Sequence, residues 1–138
     1  MHNNDHLSLA TSDQQIVLFY NSTYKNHREI HAYAAAAQKP VLAIDVSKTK
    51  VAATVWTEVA DLLKCEVKDL IKTEHSSYIE KYGQGTELGN NDAINMLQQD
   101  PDMLLVAIMV WGHYAREVEL YGHAVQFFNR DTAAVRIP

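Results

Sequence analysis

Cysteine is nearly absent from this chain of 138 residues: Cys65 stands alone, so no intramolecular disulfide can form, as suits a reducing compartment. Positive charge is also scarce. Twelve Lys and Arg stand against 17 Asp and Glu, and the formal net charge of -5 argues against a nucleic-acid partner. No stretch reaches the ~20 apolar residues that a bilayer-spanning helix needs. The opening residues "MHNNDHLSLATSDQQ" hold neither the basic block nor the apolar block of a secretory signal. These absences set the expectation of a cytoplasmic protein with no membrane partner. Repeats and low-complexity tracts are lacking too, apart from the alanines at 34–37, which favour helix.

What is present suits one domain, with 47% apolar and 21% charged residues. The polar residues 1–14 read as a flexible N-terminal segment and residues 131–138 as a tail, leaving a domain at 15–130. "QIVLFY" is an apolar run of the kind that a parallel strand buried on both faces presents, and "VLAIDV" reads as a second apolar strand. Between them Ile30, Tyr33, Ala34 and Ala37 recur at helical spacing until Pro40 ends the pattern, so residues 15–46 spell a βαβ unit with adjacent parallel strands. Residues 54–99 read as a helical insertion. Val55, Val59, Leu62 and Leu63 share a helix face, Ser77 with Glu80 has capping-box spacing, and Asn91 suits a second cap. "MLLVAIMVW" and "YAREVELY", parted by Gly112 and His113, predict a hairpin whose second strand lies at an edge, and "HAVQFFN" predicts a short closing helix. The aromatic residues Trp56, Tyr78, Tyr82, Trp111, Tyr114, Tyr121, Phe127 and Phe128 mostly sit at core spacing.

The turn "NSTYK" between the first strand and the first helix draws attention, because backbone donors at a helix start attract anions and activate thiolates. It has no cysteine and no glycine. Asn21, Ser22, Thr23, Tyr24, Lys25 and Arg28 together offer backbone amides and two cations to a phosphate, sulfate or carboxylate, against the plainer reading of a helix start capped by Ser22 or Thr23. His27 and His31 are spaced to share a helix face, but no third ligand lies near in sequence. They read as solvent-exposed helix histidines, and no metal is expected. Cys65 ends a helix of the insertion and reads as a buried, inert thiol.

In order and spacing these segments resemble the arsenate reductase and Spx-like family. The resemblance covers residues 15–130 and is carried by "LFYNSTYKNHRE", "AIDV", "WTEVADLL", "DLIKTEHSSYIEKYG" and "AINMLQQDPDMLLVAIMV". It implies an α/β thioredoxin-like fold: βαβ, a helical insertion, then ββα, with a mixed sheet and helices around it. The family's first turn reads Asn-Pro-x-Cys-x-x-Ser-Arg. Laid on this chain, Asn21 and Arg28 match, while Ser22 replaces the proline, Tyr24 the nucleophilic cysteine and His27 the serine. The family's later Arg-Pro-Ile falls on Val106, Ala107 and Ile108, so its second arginine and its cis proline are both missing. A cis bond before a non-proline residue costs ~3 kcal/mol, and an ordinary trans peptide is expected before Ala107.

The implied function is that of a catalytically degenerate relative, a binding or regulatory module without thiol redox activity. It would act on a protein partner or a small anion and need no cofactor. The alternative is a thiol-dependent reductase, or another oxidoreductase, acting on a small oxyanion or disulfide in the same cleft. Oligomeric state is left open.

Overall fold

The computed structural model describes residues 15–136, with side chains described except at Tyr121 and from Arg130 onward. The expectation for residues 1–14 lies outside that range. The chain runs β1 (Ile16–Tyr20), α1 (Lys25–Ala36), β2 (Val41–Asp45), α2 (Ala53–Leu63), α3 (Ser76–Tyr82), α4 (Asn90–Gln99), β3 (Ala107–Trp111), β4 (Tyr114–Val118) and α5 (Tyr121–Arg136). Short 3₁₀ turns at Val67–Leu70 and Pro101–Met103 lead into α3 and β3. The sheet order is β2-β1-β3-β4, with β1 parallel to β2 and antiparallel to β3. β3 and β4 form the expected hairpin, and β4 is an edge. Gly112 takes a φ of 62°, the sign that a two-residue hairpin asks of its first turn position. This is the thioredoxin-like plan, a mixed sheet with helices on both faces.

Strand periodicity divides the core. Val17 and Phe19 of β1, with Ile108 and Val110 of β3, face Trp56, Val59, Leu70, Tyr78 and Leu97 from the helical insertion. The alternate residues, Ile16, Leu18 and Tyr20 with Ala107 and Met109, face Ile30 and Ala34 of α1 and Ala124, Phe127 and Phe128 of α5. β1 is buried throughout because it has a strand on each side and a helical layer on each face.

Several local expectations need correction. The helix α3 is capped by His75, whose Nδ1 accepts the Ser77 N–H, and not by Ser77. The helix α4 starts after Gly89, whose N–H is held by the Asp92 carboxylate, and not at Asn91. The stretch 101–106 is a 3₁₀ turn and connector, and strand begins only at Ala107. α5 is no short helix ending near Asn129: it continues to Arg136, through most of the expected tail. No cis peptide occurs among the described residues, and the bond before Ala107 is trans.

Candidate functional site

The turn between β1 and α1 is organised around Asn21, a fully buried polar residue at the end of the central strand. Its Oδ1 accepts from the Thr23 N–H (2.9 Å) and hydroxyl (2.7 Å). Its Nδ2 donates to the Pro101 carbonyl and to Asp102 Oδ1, both at 3.0 Å. Its backbone N–H donates to Nδ1 of His27 at 2.9 Å, and its carbonyl accepts from the Tyr24 N–H at 3.1 Å. One residue thus ties β1, α1 and the 3₁₀ turn before β3 together. This is the near-complete pairing that a buried amide requires.

The anions that the turn could attract are already supplied by the chain. Asp45, at the end of β2, accepts from the Ser22 N–H (3.1 Å) and from the Ser47 N–H (3.0 Å) and hydroxyl (2.7 Å). Partial burial pushes its carboxyl up, but the hydrogen bonds from Ser22 and Ser47 outweigh this and bring it down to about 2. The amides of Asn21, Ser22, Thr23 and Tyr24 therefore all have internal acceptors. Arg28 donates from Nη1 to the Ser22 carbonyl (2.8 Å), and Lys25 is exposed at the first position of α1. Neither Ser22 nor Thr23 caps α1: Tyr24 occupies the N-cap, and its side chain makes no capping bond.

Tyr24 is half-buried, its ring 5.2 Å from that of His27 and its hydroxyl donating to the Asp102 carbonyl. Burial and then the charges of Asp102 and Asp100 push its phenol above the ordinary value, so it stays protonated near neutral pH. Asp100 is itself held by Lys81 Nζ (2.8 Å) and the Tyr82 hydroxyl (2.5 Å). That bond to Asp100, followed by burial, lifts Tyr82 to about 12.

The two helix histidines are not the solvent-exposed pair that the sequence suggested. His27 is fully buried, and its Nε2 bonds the Leu105 carbonyl at 3.0 Å. Burial drives its pKa below the usual value, partly offset by that hydrogen bond. His31 is half-buried and stacks on Tyr20 with ring centroids 4.4 Å apart. Among the described residues no three His, Cys, Asp or Glu side chains are grouped to hold a metal ion. Cys65 lies beyond α2, in the electrostatic range of Asp69, Glu117 and Lys72 rather than at the turn, and is half-buried. Burial and the carboxylates of Asp69 and Glu117 raise its pKa against Lys72, which makes it a poor nucleophile.

Beside the turn a cleft of about 270 Å³ opens between Asn26, His75, Leu105, Val106, Glu119 and Leu120. Leu120 in its lining is 62% exposed, and Asn26 Nδ2 donates to the Glu119 carbonyl (3.1 Å). Sequence reasoning missed the hydrogen-bonding roles of Asp45 and Asp102 in this region and read the buried His27 as solvent-exposed. For His27 a signal existed, since it falls on the same helical stripe as Ile30 and Ala34.

No protein-family model matches the sequence, and no curated protein does. In fold the chain is similar to an arsenate reductase from Vibrio cholerae, with a TM-score of 0.66 and 16% identity over 82% of this chain and 97% of that one. It is also similar to a putative arsenate reductase from Yersinia pestis, with a TM-score of 0.59 and 14% identity over 83% of this chain and 98% of that one. A possible arsenate reductase from Streptococcus mutans UA159 gives a TM-score of 0.55 and 18% identity over 75% and 88% of the two chains. At these identities the likeness establishes the fold.

Proposed function

We propose that this chain is a thioredoxin-fold binding module without thiol redox chemistry, which engages a protein partner at the end of the sheet where the β1–α1 turn and the cleft beside it lie. The observation that carries the reading is Tyr24. The phenol stands where the sequence resemblance puts a nucleophilic cysteine, and its hydroxyl is committed to the Asp102 carbonyl. A reductase of that kind needs a thiolate that attacks and later leaves, and a phenol held above its ordinary pKa does neither. The exposed Leu120 and the shallow cleft offer an apolar contact, and Lys25 and Arg28 offer charge to an acidic group of the partner. A free small anion is the weaker ligand, because the turn amides already hold Asp45 and Asn21 acceptors.

The test is turnover. Purified protein supplied with arsenate, and separately with a small disulfide, in the presence of glutathione or a thioredoxin system is expected to give no rate above the protein-free control. A rate that disappears in Cys65→Ser would overturn the reading and make Cys65 the working thiol. Among the described residues no helix is long and apolar enough to cross a bilayer.

A further inference from the structure

Both nitrogens of the buried His27 ring are engaged, and their partners fix its protonation. The Asn21 N–H can only donate, so Nδ1 must present its lone pair; the Leu105 carbonyl can only accept, so Nε2 must carry the hydrogen. We propose that His27 is an acid-operated latch, which as the neutral Nε2–H tautomer locks the β1–α1 turn to the connector before β3 and which on protonation at Nδ1 releases the Asn21 end of that turn. The device concerns the turn itself and does not depend on what binds there.

The geometry gives a protonated ring no relief. A hydrogen on Nδ1 would point at the Asn21 N–H, two donors facing each other at a site with no water access. The surrounding ionisable groups are committed elsewhere. From the 3₁₀ turn before β3, Asp102 takes Asn21 Nδ2, and Asp100 takes Lys81 and Tyr82. From β2, Asp45 takes Ser22 and Ser47. On the turn and α1 themselves, Tyr24 bonds the Asp102 carbonyl, Arg28 adds positive charge at the Ser22 carbonyl, Lys25 and Glu29 are exposed, and His31 stacks on Tyr20. Across the cleft, His75 caps α3, and His123 accepts from the Glu119 N–H, whose carbonyl Asn26 holds. None of these side chains bonds the His27 ring. Burial lowers its pKa in the closed state, while a released imidazole returns toward ~6.5. Release therefore takes up a proton, and acid favours it.

The experiment uses the full chain, labelled with nitrogen-15. At pH 7.5 the His27 ring is expected to show the Nε2–H tautomer in long-range proton–nitrogen correlations. Below ~6.5 the exchange protection of the Asn21 amide is expected to fall by about tenfold per pH unit, as opening coupled to one proton requires, while the Leu18 amide stays protected. In His27→Asn, whose side-chain oxygen can accept from Asn21 without titrating, that pH step is expected to vanish. An Nδ1–H tautomer at pH 7.5, or Asn21 protection that is flat with pH or falls only in step with Leu18, would overturn the latch. If His27→Asn does not fold, the wild-type tautomer and the Asn21 to Leu18 comparison still decide it.

Discussion

Asp45 Oδ1 lies 3.1 Å from the backbone nitrogen of Ser22, so a carboxylate at the end of one strand closes the turn that leaves its parallel neighbour. The two residues are far apart in sequence and are brought together only by β1–β2 pairing.

The first expectation concerns acid. Asp45 titrates at about 2 in the fold, below the ordinary carboxylate value of 3.8. Its contribution to stability is complete above the unfolded pKa and is lost as pH falls through the folded one. Asp45→Asn is expected to destabilise the protein by about 1 kcal/mol at pH 7, at the low end for a charged acceptor because the site is partly solvated. It should also flatten the loss of stability between pH 4 and 2. Urea midpoints at pH 7, 4 and 3 give the comparison, and an unchanged acid limb would remove Asp45 from this role.

Asn21 is the second test. Asn21→Ala removes a fully buried amide and strips partners from Thr23, the half-buried Pro101 carbonyl and the exposed Asp102 carboxylate, with an expected loss of about 2 kcal/mol. Asn21→Asp is expected to be worse at pH 7, since it sets a second carboxylate against Asp102, and to recover in part with Asp102→Asn. Chemical denaturation of the wild type, Asn21→Asp, Asp102→Asn and the double variant measures the coupling directly.

Third, Tyr78 is fully buried, and its hydroxyl has no hydrogen-bond partner among the described groups. Tyr78→Phe removes a group whose desolvation is uncompensated. The change is expected to be neutral or to stabilise by up to about 1 kcal/mol, whereas Trp56→Ala in the same core should cost about 3–5 kcal/mol. A marked loss of melting temperature in Tyr78→Phe would reveal a partner for that hydroxyl.

A fourth test installs the missing thiol. In a Cys65→Ser background, Tyr24→Cys places sulfur at the start of α1, where the helix favours an anion, but next to Asp102 and Asp100, which oppose it. The thiol is expected to titrate at or above ~8.5, and added Asp102→Asn to lower it. The pH dependence of its alkylation rate decides; a midpoint well below that value would show the helix start dominating the carboxylates.

How far the sequence led can be judged from single elements. β1 was legible because a strand buried on both faces has to be apolar at every position, and "IVLFY" is; β2, an edge strand with Leu42 exposed, was legible from its apolar run alone. The hairpin followed from two strand runs separated by Gly112 and His113. Caps were less legible, since Ser77 and Asn91 are better cap formers in general than His75 and Gly89, and the choice was made by where each helix docks. α5 was read short because "NRDTAAVR" continues the helix without a strong apolar stripe. The turn was the hardest part. Its composition suggested open donors, but Asp45 and Asp102, which fill them, come from elsewhere in the chain and meet it only through the sheet order.

That sheet order also bears on how the polypeptide is made. β1 obtains its first neighbour early, when β2 has been synthesised, but its other edge pairs with Ala107–Trp111, so a ribosome must add most of the domain before that edge is covered. At roughly 5–20 residues per second, the stretch between β2 and β3 keeps an apolar strand half-paired for about 3–13 seconds. During that interval α1 can lie against one face of β1 while its far edge stays open to any extended chain nearby. The nascent protein is thus most vulnerable to strand-mediated association in the middle of its synthesis. A chaperone that holds β1 until β3 emerges would act where the topology leaves the longest gap.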